Sequence, residues 1–260
     1  MSARRFSEGS RRQVVEAAAP LREAPRHDAV LETELLFGER VILYDEREGW
    51  AWVQAERDSH VGYLSANALR SDIADPTHRV RTLGTHIYPR PDYKAPPIDR
   101  LSMNAQLVVE KAEERFAQLS DGHYIAATHI CAVDECEQDF VEVAAGFVGS
   151  PYLWGGRTSA GLDCSALIQL ALQASGIECP RDSDMQEAVL GKPLPGPPNQ
   201  QAVRRGDLVF WNGHVGVMLE EGRLLHANVH HMAVVVEPAF EAFARIETWY
   251  GPITSVRRMS

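Results

Sequence analysis

The side chains in this sequence best suited to nucleophilic chemistry near neutral pH are the thiol of Cys164 and the imidazoles of His214 and His226. A thiol attacks a carbonyl carbon efficiently when an imidazole takes its proton and a third group orients that imidazole. Cys164 lies in Gly161-Leu-Asp-Cys-Ser-Ala-Leu-Ile-Gln169, just after the glycine-rich run Pro151-Tyr-Leu-Trp-Gly-Gly156. His214 follows Asn212-Gly213 and opens an apolar run, and His226 follows Leu224-Leu225 near the end of the next one. Taken singly, a buried Cys is a small apolar residue in a core, and a His at a strand end is a polar residue at a rim. A capped Cys after a glycine loop, followed by two such histidines, points instead to a cysteine hydrolase.

The elements that must position these groups are readable. A helix is expected from about Asp163, which can cap its start, to Gly176, which can take the left-handed position past its end. Leu167, Ile168, Leu170, Ala171 and Leu172 leave almost no polar face, so this helix should be buried. Cys164 then sits in its first turn, where free N–H groups and the helix dipole favour a thiolate. Residues 140–148 have helical spacing ahead of the glycine loop. Strands are expected at 207–211, 214–219, 223–227 and 233–236, with a Pro-rich loop at 192–198 before them. Adjacent antiparallel strands would bring both imidazoles to one sheet edge facing the helix start. Helix first and sheet afterwards is an α+β arrangement.

Short β-like pieces fill the first half, at 39–44, 49–54, 62–65, 80–83, 85–88, 106–110, 116–119 and 122–127, separated by turn signals. Asp75-Pro76 marks a boundary between two groups of them, each suggesting a small barrel, and the two together a diverged internal repeat. The division expected is a loosely held polar arm at 1–26, a first β module at 27–76, a second at 77–135 and the α+β domain at 136–260.

The chain has 260 residues, 45% of them hydrophobic, and a formal net charge of -10. That balance argues against nucleic-acid binding. The start is basic but has no apolar h-region, and no run reaches membrane-spanning length, so a cytoplasmic protein with no membrane partner is expected. Four cysteines do not make a disulfide scaffold. Cys131 and Cys136 with His123 and His129 match no zinc spacing, His226, His230 and His231 lack a carboxylate at matching spacing, and Cys179 reads as structural; no metal or cofactor is expected. Trp50, Trp52 and Trp154 read as packing or pocket walls.

In order, Tyr152-Leu-Trp-Gly-Gly, Leu162-Asp-Cys-Ser-Ala-Leu, Arg205-Gly-Asp-Leu-Val-Phe and His214-Val-Gly-Val resemble the NlpC-type family of papain-like bacterial cell-wall peptidases, over roughly residues 136 to 260. The resemblance implies a papain-like domain, a helix bundle packed on an antiparallel sheet. It implies Cys164 as nucleophile, His214 as general base, His226 as the orienting residue, and Tyr152 in the active site as an oxyanion donor beside the Cys164 N–H. Asp163 reads as a helix cap rather than an acid, and Ser165 either contacts substrate or only caps the turn.

Leu35-Leu-Phe-Gly-Glu-Arg-Val, Gly49-Trp-Ala-Trp-Val and His60-Val-Gly-Tyr-Leu resemble a bacterial SH3-like domain; the second module resembles one mainly at Gly122-His-Tyr-Ile. Glu32-Thr-Glu-Leu-Leu-Phe-Gly-Glu39 is similar to a stretch of γ-D-glutamyl-L-diamino acid endopeptidases that carry such domains ahead of the catalytic one. This implies cleavage of the γ-D-glutamyl–diamino acid bond, to meso-diaminopimelate or L-Lys, in free stem peptides that begin with L-Ala. By the same resemblance Glu32 and Asp182, with Ser183 beside it, hold the substrate ammonium; without it both are ordinary surface carboxylates. One departure stands out. Those enzymes have Tyr-x-Gly-Trp where this chain has His60-Val-Gly-Tyr63, so either His60 replaces the pocket contact, or Tyr63 does, or the pocket differs. Two functions follow: an intracellular peptidase that trims muropeptides in wall recycling, or a wall-anchored hydrolase or binding protein that uses its SH3-like modules for attachment.

Overall fold

A computed structural model describes residues 8–196 and 203–259, which form two compact units divided between Glu135 and Cys136. The first unit begins with β1 (Ser10–Val14), β2 (Ala18–Arg22), β3 (Leu31–Leu36), β4 (Arg40–Arg47), β5 (Trp50–Ala55), β6 (Val61–Ser65) and β7 (Leu69–Arg70). They make one sheet in the order β3-β2-β6-β5-β4-β1-β7, every pairing antiparallel. Val14, Ala19, Leu21, Leu35, Val41, Val53 and Leu64 supply its core.

The loose arm expected at 1–26 is not what residues 10–22 form. β1 pairs with β4 and β7, and β2 pairs with β3. The period-2 signal is carried by Ala19 and Leu21 alone, with Ala18, Pro20 and Arg22 between them, and the polar residues around it hide it. Pro20 fits because β2 meets β6 only at Arg22, which leaves the strand open on that side at Pro20. Residues 1–7 of the expected arm lie outside the described residues.

The rest of this unit contains β8 (His78–Val80), β9 (Gly84–Tyr88), β10 (Asp99–Ser102), β11 (Gln106–Leu107), β12 (Val109–Ala112), β13 (Phe116–Leu119), β14 (Tyr124–Ala126) and β15 (Ile130–Ala132). Five form the sheet β10-β9-β14-β13-β12 and three the sheet β11-β8-β15, around Val80, Leu101, Leu107, Ala117 and Ile125. The single strand expected at 106–110 is two. β11 pairs with β8 and β12 with β13, so the chain changes sheets at Val108.

The second unit holds α1 (Phe140–Ala145), the short hairpin β16 (Arg157–Thr158) and β17 (Gly161–Leu162), α2 (Cys164–Ala174) and α3 (Ser183–Val189). After these come β18 (Lys192–Pro193), β19 (Asp207–Trp211), β20 (His214–Met218), β21 (Arg223–Asn228), β22 (Ala233–Pro238), α4 (Ala239–Tyr250) and β23 (Ser255–Arg258). Its sheet is antiparallel in the order β18-β23-β19-β20-β21-β22. The loop expected at 192–198 begins as strand β18, and 197–198 lie outside the described residues. α2 packs on β20, β21 and α1. Every residue of α2 except Gln173 is buried, as its lack of a polar face requires, and each buried Leu or Ile contributes roughly 1.5–3 kcal/mol. Among the described residues, no helix is long and apolar enough to cross a membrane.

Candidate active site

The start of α2 is fixed by a buried ion pair. Asp163, its N-cap, accepts from Ala166 N–H at 2.9 Å and from the Ser165 hydroxyl at 3.1 Å. Arg181, 2% exposed, reaches both oxygens of the same carboxylate, Nη1 at 2.9 Å and Nη2 at 2.6 Å, and donates to Ser165 Oγ at 2.7 Å. The second Asp163 oxygen also takes Gly155 N–H at 2.9 Å, which ties the glycine loop to the helix. Gly155 adopts φ +75°, favoured by glycine, and a Cβ at Gly156 would stand 2.4 Å from the Gly161 carbonyl oxygen. The two glycines let the loop close on β17 and deliver the chain to Cys164.

The thiol of Cys164 is 7% exposed, and the backbone of Val215, the residue after His214, acts on it to favour the thiolate. Three adjacent strands then carry the rest of the site. In the β21–β22 register His226 faces Val235 and Leu224 faces Glu237, so Glu237 is the diagonal neighbour of His226 on the same face. Continuing the β20–β21 register puts Gly216 across from His226, and Gly216, having no side chain, leaves the imidazole room to lean toward His214. His214 Nε2 is 2.8 Å from His226 Nδ1, and His226 Nε2 is 2.7 Å from Glu237 Oε1. Arg245 of α4 closes the line with an ion pair to Glu237. Asn228 Nδ2 lies 3.0 Å from His226 Nε2, and His231 Nε2 lies 3.5 Å from Glu237 Oε2. Tyr250 stacks on the His214 ring, centroids 5.2 Å apart, and Trp211 packs against it at 5.6 Å. A cavity of about 290 Å³, lined by His214, His226, Asn228, Arg245, Trp249 and Tyr250 among others, opens beside the two imidazoles.

Electrostatics keep the resting groups neutral. Burial, then the neighbouring Asp163 carboxylate, pushes the Cys164 thiol up to about 12, against the Val215 backbone and Arg181. This outweighs the pull of the helix start toward a thiolate. Burial, then His226 and Arg245, pushes His214 down to about 3, with Glu237 pulling the other way. Burial also lowers His226, against its bond to Glu237. Burial opposes the charge on Glu237, yet the bonds from His226 and Arg245 prevail and hold its carboxyl down at about 2. A neutral thiol and a neutral imidazole therefore face an ionised carboxylate held at the far end of the relay.

Of the residues singled out in the sequence, Cys164, His214, His226, Tyr152, Asp163 and Ser165 come together. Tyr152 is bridged to Leu162, and burial, then the charges of Cys164 and Asp163, pushes its phenol well above the usual range. Asp163 works as a cap and as the partner of Arg181, and Ser165 is bound into that pair. Trp154 is 62% exposed. Asp182 is the half-buried N-cap position of α3, Ser183 is the first residue of that helix, and the charge of Asp182 reaches Arg181. Glu32 is half-buried in β3, His60 precedes β6, and Tyr63 in β6 packs on Trp52 with centroids 4.6 Å apart. None of the four cysteines is in a disulfide; Cys131, Cys164 and Cys179 are buried and Cys136 is exposed.

Sequence reasoning missed Arg181, Glu237, Arg245 and Tyr250. Arg181 directly precedes Asp182 and Ser183, where a buried arginine has no distinguishing mark. Glu237 ends the apolar Val234-Val-Val run, and only the hairpin register shows that it lies diagonal to His226.

Residues 149–250 match the sequence profile of the NlpC/P60 family, and residues 21–69 that of a bacterial dipeptidyl-peptidase SH3 domain. The γ-D-glutamyl-L-lysine dipeptidyl-peptidase of Bacillus subtilis is 27% identical, over 77% of this chain and 73% of its own length. Dipeptidyl-peptidase 6 of Lysinibacillus sphaericus is 24% identical, over 83% of this chain and 87% of its own. The crystal structure of an NlpC/P60 family protein from Bacillus cereus covers 96% of this chain and 99% of that one at a TM-score of 0.77 and 18% identity, a likeness of fold.

Proposed function

We propose that this chain, an NlpC/P60 cysteine peptidase with a bacterial SH3 domain ahead of its catalytic domain, hydrolyses the γ-D-glutamyl–diamino acid bond of free peptidoglycan stem peptides beginning with L-Ala. The observation that carries the chemistry is the thiol at the capped start of α2, next to the Val215 backbone, together with the hydrogen-bonded pair His214–His226. The relatives named as dipeptidyl-peptidases, which match most of the chain, support the substrate.

In this reading His214 takes the Cys164 proton as sulfur attacks the γ-carbonyl carbon of D-Glu. Cys164 N–H and the Tyr152 hydroxyl donate to the oxyanion, such a donor contributing roughly 3 kcal/mol in a dry site. The tetrahedral centre collapses as His214 hands its proton to the leaving amine of the diamino acid, for which the cavity beside His214 has room. Water, deprotonated by His214, then cleaves the thioester and restores the thiol. The products are L-Ala-γ-D-Glu and a peptide beginning with the diamino acid. Asp182, with Ser183, binds the free ammonium. We assign residues 10–76 and 77–135 to two small SH3-like barrels, the first including the strands of residues 10–22, and 136–260 to the peptidase domain. We place the reaction in the cytoplasm, a reading supported by four cysteines outside any disulfide and tested by fractionation.

The deciding experiment incubates the protein with L-Ala-γ-D-Glu-meso-diaminopimelate, its L-Lys counterpart and the N-acetylated form of each, and identifies products by mass spectrometry. Release of L-Ala-γ-D-Glu from the free peptides alone is expected. Digestion of intact sacculi as readily as the free tripeptide would refute this reading in favour of a wall-anchored hydrolase.

A further inference from the structure

We propose that Glu237, held by Arg245, is a positioning residue of this site: its carboxylate sets the tautomers of both imidazoles and thereby selects Nδ1 of His214 as the base. The proposal rests on the cysteine-peptidase reading of the site.

The argument is a proton count along the relay. An ionised carboxylate only accepts, so the His226 nitrogen 2.7 Å from Glu237, Nε2, carries the hydrogen, and the Asn228 amide nitrogen 3.0 Å from it, itself a donor, makes no hydrogen bond there. A neutral imidazole has one, so His226 Nδ1 is a lone pair. That lone pair sits 2.8 Å from His214 Nε2, which must then be the donor. His214 has spent its one hydrogen, and Nδ1 is left bare to take the thiol proton. Arg245 does not deprotonate, and its ion pair keeps Glu237 charged and in place. The other titratable group on Glu237 is His231, at 3.5 Å. Without the carboxylate, His226 is free to turn its hydrogen toward His214. His214 would then accept through Nε2, carry its hydrogen on Nδ1, and have no lone pair for Cys164. Once His214 is protonated, Glu237 favours the imidazolium while Arg245 opposes it, so losing Glu237 costs the charged state as well.

The test compares Glu237→Gln, Glu237→Asp and Glu237→Ala in the full chain. Gln keeps the shape and can still accept from His226 but has lost the charge, Asp keeps the charge on a shorter stem, and Ala loses both. Turnover of L-Ala-γ-D-Glu-meso-diaminopimelate should fall ~10- to 100-fold in kcat for Gln, further for Ala and less for Asp, with KM nearly unchanged. The acid limb of the kcat profile should move to lower pH in the Gln variant, because His214 loses an anion that favours its protonation. Two readouts do not depend on the substrate. Alkylation of Cys164 by iodoacetamide should slow in parallel with kcat. In ¹⁵N-histidine-labelled protein, the hydrogen should lie on Nε2 of both His214 and His226 in the wild type and shift to a mixture in the Ala variant. Unchanged tautomers in Glu237→Ala, or full kcat in Glu237→Gln, would overturn the proposal. If Cys164→Ala still hydrolysed the peptide, the underlying reading would fall instead, and the tautomer result would show whether Glu237 orders the imidazoles regardless.

Discussion

Replacing His214 by Gln should flatten the acid side of the stability curve of the second unit. His214 is 3% exposed, and burial, then His226 and Arg245, pushes its imidazole down to about 3. In an unfolded chain histidine titrates near ~6.5. Between those values the unfolded state binds a proton that the folded state refuses. Stability contributed by the neutral ring is therefore complete above the unfolded value and is lost as pH falls through the window. The full gap corresponds to about 5 kcal/mol, of which about 3 kcal/mol disappears between pH ~7 and pH ~4.5. Gln fills similar space and does not titrate, while His226 and Glu237 stay in both proteins and largely drop out of the comparison. Hydrogen exchange by mass spectrometry on peptides covering β19 and β20, corrected for intrinsic exchange rates, reads the opening free energy at each pH. The wild type should lose about 3 kcal/mol more protection on acidification than His214→Gln. Equal losses in the two proteins would refute the reasoning, because the acid sensitivity would then lie elsewhere.

Cys164→Ala and Cys164→Ser should abolish hydrolysis with the thermal melt unchanged; residual turnover in either would remove the thiol from the mechanism. His214→Ala should cost about as much as losing the nucleophile, whereas His226→Ala should retain more activity, since water can partly replace an orienting group. Arg181→Ala should destabilise the second unit by about 3–5 kcal/mol, because it strands the buried Asp163 carboxylate, and a thermal shift near zero would show that water already solvates that site. Asp182→Asn should reduce kcat/KM for the free tripeptide ~10- to 100-fold and shrink its advantage over the N-acetylated peptide. An unchanged ratio would place the ammonium elsewhere.

The reacting residues and their supporting helix were legible because their signals are local. A cap at Asp163, an apolar run and a glycine stop specify α2 within a few residues, and the structure places it at Cys164–Ala174. The same holds for β19, whose unbroken apolar run gives it both ends. What stayed hidden depends on register. β1 and β2 carry few large apolar residues and are strands because β3, β4 and β7 offer them partners. At 106–110 the composition is that of one strand, and the break at Val108 reflects the capture of its two halves by different sheets. Glu237 and Arg245 are ordinary charged residues until the β21–β22 hairpin and α4 bring them to His226.

The two ion pairs nearest these groups, Asp163–Arg181 buried and Glu237–Arg245 half-buried, act on them in opposed senses. Asp163, next to Cys164, opposes the thiolate, and Arg181 favours it. Arg245 opposes the His214 imidazolium, and Glu237 favours it. Each pair is nearly neutral as a whole, so the resting site holds a thiol and an imidazole with no free charge beside them, and burial decides their state. In the proposed mechanism, moving one proton from sulfur to Nδ1 creates two charges at once, and the member of each pair that favours them is held by its opposite. Arg181 binds Asp163 with two bonds and Ser165 with a third, so it cannot swing away, and Glu237 is fixed in the same way between His226 and Arg245. Such an arrangement costs no reorganisation at the moment of proton transfer, which is the condition under which fixed dipoles and charges lower a barrier. It follows that conservative changes which keep charge but loosen geometry, Arg181→Lys and Arg245→Lys, should lower kcat even where the fold is intact. Lys offers a single point charge in place of the two-pronged guanidinium contact with Asp163. A full kcat in Arg181→Lys would mean that net charge alone, and not its fixed placement, is what Cys164 requires.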